Sequence, residues 1–246
     1  MPRFTDSTAL NSQTIGGTNY GFSATRIDDL GATEYTLGLI VVDVSGSTVG
    51  DRPGMEKALQ EIVKACRHNP RADNMMLRIV TFDHTVQEFH GFKPLPACND
   101  ADYANGCLGR SGGSTALYDA AYNAVKSATQ YGKDLTAKDF DVNAVVFVIT
   151  DGEDNASSAT RKMVKEALEE GVKGESLESL TSILIGIGGD QRYFQALQTE
   201  CGFTQFVALA GADAKTLAKL GDFISKSISS TSQALGTGGP SQSLAF

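Results

Sequence analysis

Asp43-Val44-Ser45-Gly46-Ser47 sets one carboxylate and two hydroxyls at every second position. The stretch follows directly on the apolar run Leu37-Gly38-Leu39-Ile40-Val41-Val42, where a buried strand leaves the core and opens a loop. Hard oxygen donors of this kind suit Mg²⁺ or Mn²⁺ and suit zinc or copper poorly. Alone, such a triplet is more often a turn with a helix cap, because Asp and Ser both satisfy free backbone N–H groups. Two later segments are able to complete a site: Gly112-Gly113-Ser114-Thr115, and Ile149-Thr150-Asp151-Gly152 at the end of a second apolar run.

The elements that must position these residues can be read from periodicity. Strands are expected over Tyr35–Asp43, Met75–Phe82, Thr85–Phe89, Val142–Thr150, Ser182–Gly188 and Phe206–Leu209. Asp83-His84 is so tight a link that the second and third must form an antiparallel hairpin. Helices are expected at about 51–68, from Thr115 onward, around 157–171 (burying Met163, Val164, Ala167 and Leu168), near 191–199, and through Leu217, Leu220, Phe223, Ile224 and Ile228. A long polar loop fills about 93–114. This alternation predicts an α/β, doubly wound, mostly parallel six-stranded sheet with one antiparallel edge strand, between two helical layers. In such sheets ligands bind beyond the carboxyl ends of the strands where strand order reverses, and Asp43 and Asp151 both fall at such ends. A helix opening at Thr115 would aim its positive end at the site and favour an anionic ligand there.

Taken in this order, the three segments resemble the metal-ion-dependent adhesion site of the von Willebrand factor A (VWA) domain family, most nearly its intracellular prokaryotic and viral members. The likeness spans about residues 34–230 and implies a Rossmann-like VWA fold. It implies that Ser45, Ser47 and Thr115 bind the cation directly, while Asp43 and Asp151 act chiefly through bound waters and hydrogen bonds. The open coordination position would take a carboxylate from a partner protein. Ser114 is an alternative to Thr115, since Gly-Gly-Ser-Thr is one residue longer than the family's usual Gly-Gly-Thr. Thr115 is preferred because Ala116-Leu117-Tyr118-Asp119-Ala120 follows it as the family's helix would. Residues 1–33, rich in Thr, Ser, Asn and Gly, are expected to form an extended arm, and 231–246 a flexible tail from which Leu244 and Phe246 could dock.

The expected function is therefore a non-enzymatic adaptor or assembly component using Mg²⁺ or Mn²⁺ to engage an Asp or Glu of another protein. By resemblance only, that partner is an ATPase, kinase or phosphatase. The alternatives are a structural subunit with a fold-stabilising metal, and a Mg²⁺-dependent phosphohydrolase. The haloacid dehalogenase type of hydrolase also places a strand-end Asp near Mg²⁺, and Thr150-Asp151-Gly152-Glu153-Asp154 resembles its last acidic motif. It needs a second Asp two positions after the nucleophile as general acid, and Ser45 stands there.

Other motifs carry less. Gly109-Arg110-Ser111-Gly112-Gly113 fits a nucleophile elbow in letters, yet no strand precedes it and no His follows it. Gly186-Ile187-Gly188-Gly189 lacks the third glycine of a dinucleotide loop. His68, His84 and His90 show no zinc spacing and are expected at the surface. Glu153 and Asp154 are expected to be solvated acidic loop residues.

Bulk properties narrow the class. A net charge of −8 argues against a nucleic-acid partner. No segment approaches the roughly 20 apolar residues that span a bilayer, and Met1–Ser7 lacks the apolar stretch of a signal peptide. Cys66, Cys98, Cys107 and Cys201 show no C-x-x-C spacing and are expected as reduced thiols, with a Cys98–Cys107 loop pairing as the alternative. The chain reads as a cytoplasmic protein.

Overall fold

The computed structural model describes residues 10–15, 21–104, 106–109, 112–239, 241 and 244–246. Met1–Ser7, Arg110, Ser111 and Pro240, on which expectations above touched, lie outside the described residues. Eight strands form one sheet: β1 (Leu10–Thr14), β2 (Gly21–Thr25), β3 (Glu34–Asp43), β4 (Met75–Phe82), β5 (Val86–Pro94), β6 (Asp141–Thr150), β7 (Ser179–Ile187) and β8 (Gln205–Leu209). The helices are α1 (Arg52–Arg67), α2 (Leu117–Thr136), α3 (Arg161–Lys173), α4 (Gln191–Cys201) and α5 (Ala214–Thr237). The spatial order is β1-β2-β5-β4-β3-β6-β7-β8, with β4, β3, β6, β7 and β8 parallel and β5 antiparallel to β4.

The central strands are buried along nearly their whole length because helices cover both faces. Ile40, Val42, Phe147 and Ile185 pack under Leu59 and Ile62 of α1 and Leu220 and Ile224 of α5. Leu39, Val41, Val146 and Val148 pack on the other face under α2, α3 and α4. From β3 the chain crosses to β4 on one side, and β6 later takes the other side. Strand order therefore reverses between β3 and β6.

The sheet has eight strands where six were expected, and β5 is not its edge. The two extra strands come from the segment expected as an arm. Leu-Asn-Ser-Gln-Thr of β1 holds one apolar residue and is largely exposed, so it exists through backbone pairing with β2 rather than through burial. In β2, Phe22 and Ala24 alternate inward, and Ala24 pairs in parallel with Phe92 of β5. Two helix expectations also shift: α3 opens at Arg161 behind a Thr160 cap, which leaves Met163 37% exposed rather than buried. The last helix runs on to Thr237, and beyond it Phe246 packs edge-on against Phe223 at 5.5 Å.

A buried cation ties the added strands to the sheet. Arg78 on β4 is 1% exposed and donates to Glu88 (2.8 Å), Ser127 (3.0 Å) and Asn123 (3.0 Å). Its guanidinium also lies 5.9 Å from the Phe22 ring and 5.8 Å from the Phe92 ring. Glu88 in turn accepts from the Ser23 backbone N–H (3.0 Å) and hydroxyl (2.5 Å) of β2. Arg78→Met keeps the volume but takes a donor from each of Glu88, Asn123 and Ser127 and leaves the Glu88 carboxylate without its counter-charge. It should lower unfolding free energy by about 3–5 kcal/mol in urea titration, the cost of breaking a buried pair from one side.

Candidate metal centre

The parallel register of β3 and β6 pairs Val42 with Ile149, so Asp43 and Thr150 end side by side on neighbouring strands. Asp43 has no exposed surface and a carboxylate there must be satisfied internally. Its Oδ1 accepts from the Ser45 backbone N–H at 2.8 Å and its Oδ2 from Thr150 Oγ1 at 2.6 Å. The first bond bends the chain after the strand and aims Ser45 and Ser47 back over the strand ends. Ser45 Oγ and Ser47 Oγ then lie 3.2 Å apart, and Ser47 Oγ donates to Asp151 Oδ1 at 2.8 Å.

The third segment closes on the same place. The Gly46 N–H reaches the Gly113 carbonyl at 3.5 Å, and an added Cβ on Gly46 would lie 3.6 Å from Gly113 N. Gly113 has φ 99°, a left-handed conformation that L side chains rarely adopt, so glycine makes this turn. Ser114 is exposed, whereas Thr115 is buried and its Oγ1 sits 4.0 Å from the Cβ position of Gly152. The structure therefore brings Asp43, Ser45, Ser47, Thr115 and Asp151 together, while Ser114 is exposed to solvent.

Several groups not singled out from sequence build this arrangement. Thr150 is the internal donor to Asp43, and it accepts the Gly152 N–H at 3.2 Å. Asn155 grips Thr115 from both sides: its Oδ1 accepts the Thr115 N–H (2.7 Å) and its own N–H donates to the Thr115 carbonyl (3.0 Å). Arg52, at the start of α1, donates to the Val44 carbonyl (2.6 Å) and the Gly109 carbonyl (3.3 Å), joining the first loop to the long one. Asp83, 3% exposed at the end of β4, accepts from Thr85 and its carbonyl takes the Ala116 N–H at 2.6 Å. These contacts span distant stretches of chain, so spacing gives no sign of them.

Three expectations are corrected here. The opening N–H groups of α2 are not left for an anionic ligand: Ala116 donates to Asp83, Tyr118 to Asp154 and Asp119 to Ser157. Asp154 is accordingly a half-buried helix cap rather than a solvated charge, while Glu153 is exposed. His90 is buried instead of lying at the surface. Its Nε2 lies 2.8 Å from Tyr103 Oη and its Nδ1 2.8 Å from the Gly91 carbonyl, beneath the long loop. All four cysteines are free.

Burial raises the pKa of Asp43; hydrogen bonds from Thr150 and Ser45 hold it back, and the nearby Asp83 charge adds to the rise. Burial also raises Asp151, opposed by Ser47 and reinforced by Asp43 and Asp51. The charged groups acting on both are thus carboxylates, a field that a divalent cation would relieve. Among the described residues no group of three or more His, Cys, Asp or Glu side chains could hold a metal. A cation here would find at most two carboxylates, so hydroxyls, carbonyls or waters would have to complete its shell. Ser45, Ser47 and Thr115 offer hydroxyls, and Asp43, with both oxygens committed, serves to orient. This all-oxygen set fits a hard divalent ion.

No protein-family model matches the sequence, and no curated protein matches it. Solved structures do share its fold. The PilB minor pilin from Streptococcus sanguinis superposes with a TM-score of 0.59 at 14% identity, covering 89% of this chain and 66% of that one. The pilus adhesin SpaC from Lactobacillus rhamnosus GG gives 0.57 at 11% identity over 90% of this chain and 33% of that one. Proximal thread matrix protein 1 from the mussel byssus, solved with a zinc-occupied MIDAS motif, gives 0.52 at 20% identity over 80% and 46%. This chain thus spans less than two thirds of each neighbour's length. The fold is of the VWA type, with its expected site residues at the carboxyl end of the sheet.

Two outcomes follow. Asp151→Ala should abolish Mn²⁺ binding in calorimetry with little change in urea midpoint, whereas buried Asp43→Ala should also lose about 1–3 kcal/mol of stability by stranding Thr150 and the Ser45 N–H. Retained affinity in Asp151→Ala would contradict the assignment. Burial also pushes His90 down to about 4, so between about 6.5 and 4 the unfolded chain binds more protons than the folded one. Stability should therefore fall as pH drops through that window, by at most about 1.4 kcal/mol per unit, and His90→Gln should remove that slope.

Proposed function

We propose that this chain is a divalent-cation-dependent protein-interaction module, an adaptor or assembly component, that binds an acidic side chain of a partner protein through Mg²⁺ or Mn²⁺. One observation carries the reading: the Ser45 and Ser47 hydroxyls and Asp151 are bonded together at the reversal point of the sheet, with Thr115 Oγ1 beside the next residue, Gly152, and each oxygen of Asp43 bonded behind them. With Ser45, Ser47 and Thr115 as direct ligands, the protein adds no formal charge to the metal's first shell. The ion stays electrophilic, and an incoming carboxylate gains strongly. Ser47 is exposed, so the centre has a face open to solvent, where a partner can reach it.

The reading is non-enzymatic. Ser45 occupies the place of a phosphohydrolase's general acid, where an alcohol is far too weakly acidic to replace a carboxylic acid. The free cysteines fit the intracellular compartment that belongs to this reading, and among the described residues no helix is long and apolar enough to cross a membrane. The named functions of the pilins and of the thread matrix protein support an interaction or assembly role here only through the shared fold. Zinc in the last of them makes zinc a necessary arm of any metal titration.

Affinity capture from source lysate tests the proposal, run in Mg²⁺, in Zn²⁺ and in EDTA, with Asp151→Ala alongside. A partner lost on chelation and in the variant, and dependent on one of its own Asp or Glu residues, is the expected result. Partners retained in every condition would place the interface elsewhere and leave the metal a stabilising role.

A further inference from the structure

Residues 151–157 carry one site carboxylate, Asp151, and hold a second site residue, Thr115, through Asn155. What fixes this segment lies outside the site. The Asp154 N–H donates to Tyr193 Oη on α4 at 3.1 Å, and Tyr193 Oη shares a hydrogen bond with Tyr118 Oη on α2 at 3.0 Å. Arg161, the first residue of α3, donates from Nε to Tyr118 Oη at 2.8 Å. Its guanidinium lies 5.2 Å from the Tyr193 ring centroid and 5.7 Å from that of Tyr118, and it is anchored to Glu200 on α4 at 2.7 Å. Three helices therefore meet at one peptide of the loop. Asp154 closes the circuit by accepting the Tyr118 N–H at 3.3 Å.

The chemistry of the donor set makes this connection consequential. Serine and threonine hydroxyls are weak, neutral ligands, so cation affinity depends on how well they are held before the ion arrives. The Thr115 main chain is bonded to Asn155 and Ala156, which follow directly on the Asp154 peptide that Tyr193 holds. We propose that Tyr118, Tyr193 and Arg161 form a positioning unit that sets the cation affinity of the centre by fixing residues 151–157. The proposal rests on the metal-binding reading above. These residues touch neither the cation position nor its ligands; they act through the loop.

Tyr193→Phe is the discriminating variant, because it keeps the ring under Arg161 and removes the one hydroxyl that accepts the Asp154 N–H and pairs with Tyr118 Oη. Mn²⁺ affinity should fall by up to about 10-fold, the lower end of the cost of losing a group bonded directly to a metal ligand, because Tyr193 acts one step further out. The urea midpoint should hold, and in the metal-free protein the amide resonances of Thr115 and of 154–156 should shift. Arg161→Gln, which leaves both hydroxyls, should weaken affinity in the same direction by less. If wild type binds Mn²⁺, Asp151→Ala does not, and both variants bind like wild type with an unmoved Thr115 amide, the positioning role is overturned while the metal centre stands. If wild type itself binds no cation, the metal reading falls and takes this proposal with it.

Discussion

A carboxylate with no exposed surface at the tip of a central strand is the constraint on which this end of the molecule depends. Asp43 sits there because β3 is covered on both faces, and its charge survives burial only through partners within reach. One partner, the Ser45 N–H, lies two residues ahead and forces the chain to turn. The other, Thr150 Oγ1, lies on β6, and can be reached only if β3 and β6 are neighbours in the observed register. A single residue thus couples a local turn to the order of strands across the sheet.

From that coupling the rest of the centre follows in steps. The turn directs Ser45 and Ser47 over the strand ends, and the residue after Thr150 is Asp151, which accepts from Ser47. The loop beyond Asp151 collects Thr115 through Asn155, and the first turn of α2 through Asp154 and Ser157. Of the two carboxylates that burial destabilises, Asp43 is steadied from behind by Thr150 and Asp151 by Ser47, whose hydroxyl belongs to the proposed ligand set. The same bonds that keep the loops folded hold the proposed ligands in place, and the electrostatic strain among Asp43, Asp83 and Asp151 is one that a divalent ion would relieve.

The parts of this design legible from sequence were those whose information is local. Continuous apolar runs such as Val142–Thr150 betray a strand buried on both faces, and Asp-x-Ser-x-Ser at the end of one marks where oxygen side chains gather at the strand tip. The parallel order then followed from alternation with helices. β1 escaped because Leu-Asn-Ser-Gln-Thr buries almost nothing, and an edge strand held by backbone bonds leaves no hydrophobic period. Arg52 and Arg78 escaped because arginines read as surface until a fold shows which carbonyls and carboxylates surround them. Thr150 stood inside a recognised segment, but its role as donor to Asp43 requires knowing that the two strands touch.

The most direct measurement of the central claim is anomalous diffraction from crystals grown with Mn²⁺. The account requires one peak at the carboxyl end of the sheet, about 2.0–2.3 Å from the hydroxyl oxygens of Ser45, Ser47 and Thr115, with Asp43 still bonded to Ser45 and Thr150. A fully occupied peak elsewhere, or none at this position in saturating Mn²⁺, would contradict it.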